Sequence, residues 1–218
     1  LSALDFLAGR LPDAALIGDQ SLNAANELAG NWLLSAGLAA ITPAMIARDR
    51  SYWDNYTAKL MKDRDFVEDR PANMSFSKLR LSIANIYSWR GQQPATSAED
   101  RGRLFAEAEY AYRQALKMAP SNSEAAFRLA EMLMNLGRFP DALKVVEELN
   151  AVDRHNPQIP RMREVIVQRQ TLFAERAKLE AQMNSGQAQL QDKLRFMAVC
   201  QQLGDRAAVA AVGDKVVS

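Results

Sequence analysis

Histidine and cysteine occur once each in 218 residues, and that scarcity removes most metal and thiol chemistry. His155 and Cys200 cannot make a multi-histidine metal site or a locally spaced Cys–His pair, and a lone cysteine excludes an internal disulfide. Backbone breakers are few, with 10 Gly and 8 Pro, which favours helices. No apolar run approaches the roughly 20 residues that a membrane-spanning helix needs. Charge of one sign is also missing. The 27 basic and 26 acidic residues nearly cancel, so no global field attracts nucleic acid or an acidic membrane surface. There is no Gly-rich phosphate loop, metalloprotease helix or serine elbow. Neither a catalytic residue nor a metal or other cofactor is therefore expected. The chain opens on Leu1 with no charged segment ahead of an apolar one, so a signal peptide is absent from what is shown or has been removed. The compartment stays open.

What the chain has instead is helical periodicity with internal repetition. Residues 121–156 read as one helix-turn-helix unit, in which Leu129, Ala130 and Leu133 share the buried face of a first helix. Gly137 ends that helix, Phe139 opens the second, and Ala142, Val146 and Leu149 continue the apolar face. An upstream copy over about 76–120 aligns Ile83, Ala84, Tyr87 and Gly91 with the first helix, and Phe105, Ala108, Tyr112 and Ala115 with the second. Pro120 closes that unit. Gly91 and Phe105 are 14 residues apart where Gly137 and Phe139 are 2, so the upstream turn carries a 12-residue insert, 92–103. The insert is polar and reads as a surface excursion, with a helical turn starting at Thr96 or Ser97.

This register of large and small apolar residues, turn glycine and closing proline resembles the tetratricopeptide repeat. The resemblance implies a mainly α fold of stacked helical hairpins, a superhelix, that binds a protein or peptide on its concave face and does no chemistry of its own. Its inward-facing positions fall on Lys78, Leu81, Asn85, Ser88 and Trp89 in the first repeat. In the second they fall on Glu124, Phe127, Glu131, Met134 and Asn135. Members of the family that clamp a terminal carboxylate use Lys and Asn side chains; Leu81 and Phe127 argue against that ligand here.

The flanks are less regular. Asn156, Pro157 and Pro160 suit a helix entrance, and no breaker interrupts 161–183. Val165, Leu172 and Leu179 recur every seven residues there, flanked by Met162, Ile166, Phe173 and Met183. A coiled-coil seam fits that spacing, but three heptads are the minimum for one, and a long helix packed on its neighbours is the preferred reading. Residues 157–184 thus form an irregular unit and 187–218 a degenerate hairpin, in which Gln202–Leu203–Gly204 echoes Asn135–Leu136–Gly137. Residues 1–74 do not follow the repeat and form a separate N-terminal segment, helical or with a small strand-helix-strand unit over 14–41. Thr42–Pro43 is a helix start, and the helix to about 61 carries Trp53, Tyr56 and Leu60 on one face, as core packing requires.

Isolated chemical groups read as structural. His155 lies in a polar linker, Cys200 on an apolar helix face, and Asp63 and Asp65 at a charged helix end. The order of Asp13–Asp19, an amphipathic helix, 48–56 and helical hairpins is also similar to the soluble C-terminal tail of bacterial membrane proteins related to glycosyltransferases. That second resemblance implies an accessory domain of a sugar-transfer enzyme whose catalytic part lies elsewhere.

Overall fold

The computed structural model describes residues 41–217, which are entirely helical apart from short connections. The helices are α1 (Pro43–Leu60), α2 (Arg64–Glu68), α3 (Arg70–Gln92), α4 (Ala98–Met118), α5 (Ser123–Asn135), α6 (Phe139–Val152), α7 (Gln158–Asn184), α8 (Leu190–Leu203) and α9 (Arg206–Val217). The possible strand-helix-strand unit over 14–41 falls outside the described residues, except for its last position. Two compact units divide between Leu129 and Ala130, within α5.

In the first unit, α3 and α4 form a long hairpin. Small residues at the crossing explain the closeness of its two helices: Ala84, Ala108, Ala111 and Ala115 are fully buried, with Ile83, Leu104 and Tyr112 filling the space around them. Truncating a buried leucine such as Leu104 in this setting costs about 2–5 kcal/mol. The expected insert 92–103 is not simply a surface loop. Half of it is absorbed into helix, because Ser97 caps α4 by accepting from the Asp100 amide at 3.1 Å and Ala98 onward is helical. Thr96, the other capping candidate, donates its hydroxyl to the Arg90 carbonyl and closes α3 instead. The result is a hairpin of 23- and 21-residue helices where α5 and α6 have 13 and 14.

Gly91 differs from the role its alignment with Gly137 suggests. It lies inside α3, and a Cβ there would meet the Phe105 ring at 3.1–3.3 Å. Its smallness admits a ring; it makes no turn. The turn glycines are Gly137, Gly186 and Gly204, all in the left-handed region, where a side chain is strained. After each one, the next amide donates back to a carbonyl five residues earlier: Arg138 to Leu133, Gln187 to Gln182, Asp205 to Cys200. This is the Schellman closure of a helix end.

The start of α5 is tied down as well. The Asn122 side chain accepts from the Ala125 amide and donates to Ser77 Oγ at 2.8 Å, while the Ser77 hydroxyl donates to the Ala115 carbonyl. One buried chain of hydrogen bonds thus joins α3, α4 and the entrance to α5. At the other end, Thr42 caps α1 as its sequence suggests, accepting from the Met45 amide.

The second unit takes the rest of α5 with α6 to α9. Leu133, Ala142, Val146 and Leu149 are buried, and Phe139 meets Phe173 edge to face at 5.1 Å. The long helix is α7, and it packs against α6 and α8. Ile166 and Leu179 are buried on it while Val165 is exposed, so the heptad reading fails at its first position. Leu179 joins Phe196, Val199 and Cys200 in a core lined by Leu172, Met183 and Val212. Ion pairs of Arg163 with Glu147 and Arg195 with Glu175 run along the exposed side.

Because the Phe105 ring occupies the space a side chain at Gly91 would need, Gly91→Leu should destabilise the chain by about 1–3 kcal/mol. Adding Phe105→Ala should recover part of that loss. Chemical denaturation of the two variants and the double variant would show it, and a double variant weaker than both singles would refute the packing argument.

Candidate functional site

Residues two apart on a helix are separated by about 200°, and those seven apart by little. On that spacing Lys78, Leu81, Asn85 and Trp89 leave α3 along one stripe. Their exposure differs. Lys78, Asn85 and Trp89 are half-buried, while Leu81 is only 3% exposed and Ser88 is buried as well. Asn85 is held by the Tyr112 hydroxyl of α4, which donates to its side-chain oxygen at 2.8 Å. On α5, Phe127 is half-buried and Glu124 exposed. Glu131 and Met134 continue the Phe127 stripe beyond the unit boundary; Glu131 is exposed and Met134 is 2% exposed. Asn135 accepts from Arg169 of α7 at 2.8 Å. On the expected face of the first unit, Lys78, Asn85, Trp89, Glu124 and Phe127 therefore keep some contact with solvent.

The groups with enzymatic overtones have structural roles. Asp63 caps α2 by accepting from the Asp65 and Phe66 amides. Cys200 is fully buried, and burial pushes its thiol above the ordinary value, which keeps it protonated. His155 is exposed in the connection before α7. Among the described residues no His, Cys, Asp and Glu cluster has the makings of a metal site. In the same residues, no helix is long and apolar enough to cross a membrane.

Residues 103–164 match the family model described as Tetratricopeptide repeat. The match runs from α4 through the α5–α6 hairpin into α7, where the large and small apolar positions and the Gly137 turn lie. That match and the all-helical fold support a tetratricopeptide-like repeat architecture. No curated protein and no solved structure matches it, and nothing found supports the glycosyltransferase-related resemblance. Repeats of this family are, in general, noncatalytic protein-interaction modules.

Sequence reasoning missed a second cluster, which lies inside the first unit of this repeat protein. Arg80, fully buried on α3, donates Nη1 to Asp49 of α1 and Nε to Gln114 of α4, both at 2.8 Å. The Tyr87 hydroxyl donates to the same Asp49 oxygen at 2.9 Å. Gln114 and the Tyr110 hydroxyl both donate to Asp54 of α1. The Arg50 guanidinium lies 4.0 Å over the Tyr110 ring and 3.4 Å from Glu107. The signal was present, since Arg80 stands between Leu79 and Leu81. Without a partner in view, one charge among leucines reads as a surface turn of the helix.

Burial pushes the Tyr87 phenol upward, helped by the adjacent Asp49 carboxylate, so it stays a donor. Burial also raises Glu107 above the ordinary carboxylate range, outweighing the opposing pull of Arg50 and Arg80. A raised folded-state value means that the folded chain holds this proton more tightly than the unfolded one. The resulting stability is full below the ordinary value of 4.5 and is lost as pH rises through the raised one. Glu107→Gln should therefore flatten the fall in stability on the alkaline side of pH 4.5. Denaturation midpoints measured across pH 4 to about 7 for both chains would check it. A decline of unchanged size in the variant would exclude Glu107 as its source.

Proposed function

We propose that this repeat protein is a noncatalytic scaffold that captures a peptide or protein segment on the face of α3 and α5 carrying Lys78, Asn85, Trp89 and Phe127. In repeats of this kind the corresponding stripe lies on the concave side, which supports the reading. The observation that carries the reading is the pairing of two partly open aromatic side chains, Trp89 and Phe127, with polar neighbours of mixed sign. An aromatic ring supplies contact area at low cost in side-chain entropy, and the polar groups around it fix orientation. Leu81 and Met134, being buried, support the helices and leave contact to the others. Asn85 is the best-placed polar contact, because Tyr112 fixes its amide oxygen and leaves the NH2 as a donor. With two half-open rings, and Leu81 and Phe127 where a carboxylate clamp would want basic or amide groups, the face suits an extended segment with apolar side chains better than a bare terminal carboxylate.

A displayed library of random peptides, selected against the intact chain, supplies the test. Trp89→Ala and Phe127→Ala should each weaken the selected peptides by about tenfold or more. Helical circular dichroism and the thermal midpoint should stay near those of the parent, since both rings are only partly buried. Peptides that bind both variants as well as the parent would place the binding face elsewhere.

A further inference from the structure

The way α1 is held differs from the packing within the α3–α4 hairpin. Apolar anchors exist, Ile46 and Trp53 at 5% exposure each, but the polar contacts of Asp49, Arg50 and Asp54 with both hairpin helices surround them. Two buried polar atoms on α1 and α3 also go unmet. Among the described residues, Arg80 Nη2 and Thr57 Oγ1 are buried without a hydrogen-bond partner, and Arg80 itself is fully enclosed. Each unmet buried donor or acceptor carries a desolvation penalty, and a buried ion pair recovers little net stability against water. The geometry therefore gives specificity of fit with modest strength, as an exchangeable contact requires.

We propose that the cleft of α3 and α4 now filled by α1 is a helix-recognition surface, with α1 as its displaceable resident. The partner that fits is an amphipathic helix repeating the chemistry of α1: a carboxylate for Arg80 and Tyr87, a guanidinium one residue later for Glu107 and Tyr110, and four and five residues after the first carboxylate an aromatic ring and a second carboxylate. In α1 those are Asp49, Arg50, Trp53 and Asp54. The Arg80 guanidinium receives the first carboxylate and lies 5.2 Å from the Trp53 ring; Gln114 and Tyr110 receive the second. Arg80 and Tyr87 leave α3 on the side roughly opposite Lys78, Asn85 and Trp89, because positions 80 and 78, and 87 and 89, are each two apart. This surface is distinct from the one proposed above, and either can fail without the other.

Two measurements on the full chain test it. In native-state hydrogen exchange, the amides of α1 should exchange through a local opening, with protection about tenfold or more below that of α3 and α4. A fluorescein-labelled synthetic peptide of residues 41–62 should bind the chain carrying Asp49→Ala and Asp54→Ala about tenfold more tightly than the parent, whose resident helix competes. The same two substitutions placed in the peptide should abolish that gain. The proposal is overturned if α1 exchanges only together with α3 and α4. It is equally overturned if the peptide binds neither chain, or binds both alike. Should the double variant lose helicity, exchange in the unaltered chain decides alone.

Discussion

The buried pair of Arg80 and Asp49 is the constraint around which the first unit is arranged. A guanidinium with no exposure to water must have its charge answered, and the answers come from two other helices: a carboxylate from α1 and an amide oxygen from α4. The same carboxylate oxygen accepts from Tyr87, and the Gln114 amide that accepts from Arg80 donates onward to Asp54. Removing either Arg80 or Asp49 leaves the other's charge buried without its counter-charge, which costs more than the intact pair contributes. Position along α1 is thereby fixed by chemistry: a register shift of one residue would present Arg48 or Arg50 to Arg80. Hydrophobic burial draws the helices together, and this set of charges selects which way α1 lies.

The repeat architecture has a different basis. In the α3–α4 hairpin, alanines at the crossing allow backbone approach and Gly91 admits the Phe105 ring. The three connections made by Gly137, Gly186 and Gly204 use a left-handed glycine to close a helix and start the next. A module of this sort repeats because each hairpin leaves one apolar face for a neighbour. The proposed function rests on side chains that the packing does not consume, and Trp89 and Phe127 are large ones left partly open on the expected face.

Much of this was legible in the sequence, and the reasons differ by element. Hairpin pairing was readable because Leu129, Ala130, Leu133, Gly137 and Ala142 recur at helical spacing, and periodicity is a local signal. Thr42–Pro43 was readable as a helix start, and the start at Thr96 or Ser97 to within one residue, because capping is local too. Gly91 misled because a small residue serves a turn and a close crossing equally well, and only the position of Phe105 distinguishes them. Leu81 and Met134 share the stripes of Trp89 and Phe127 by spacing, yet burial depends on neighbours distant in sequence. The Arg80 cluster was invisible for the same reason: its members span residues 49 to 114, and no local pattern announces that a charge has found a partner 31 positions away.

A double-mutant cycle on Arg80→Met and Asp49→Leu, followed by chemical denaturation, addresses the central claim directly. If the pair governs how α1 docks, each single variant should lose about 3–5 kcal/mol, because a charge is left buried alone. The double variant should then lose much less than the sum, with a coupling of at least about 1.5 kcal/mol. Losses that simply add would mean that the two side chains act independently, and would contradict the account.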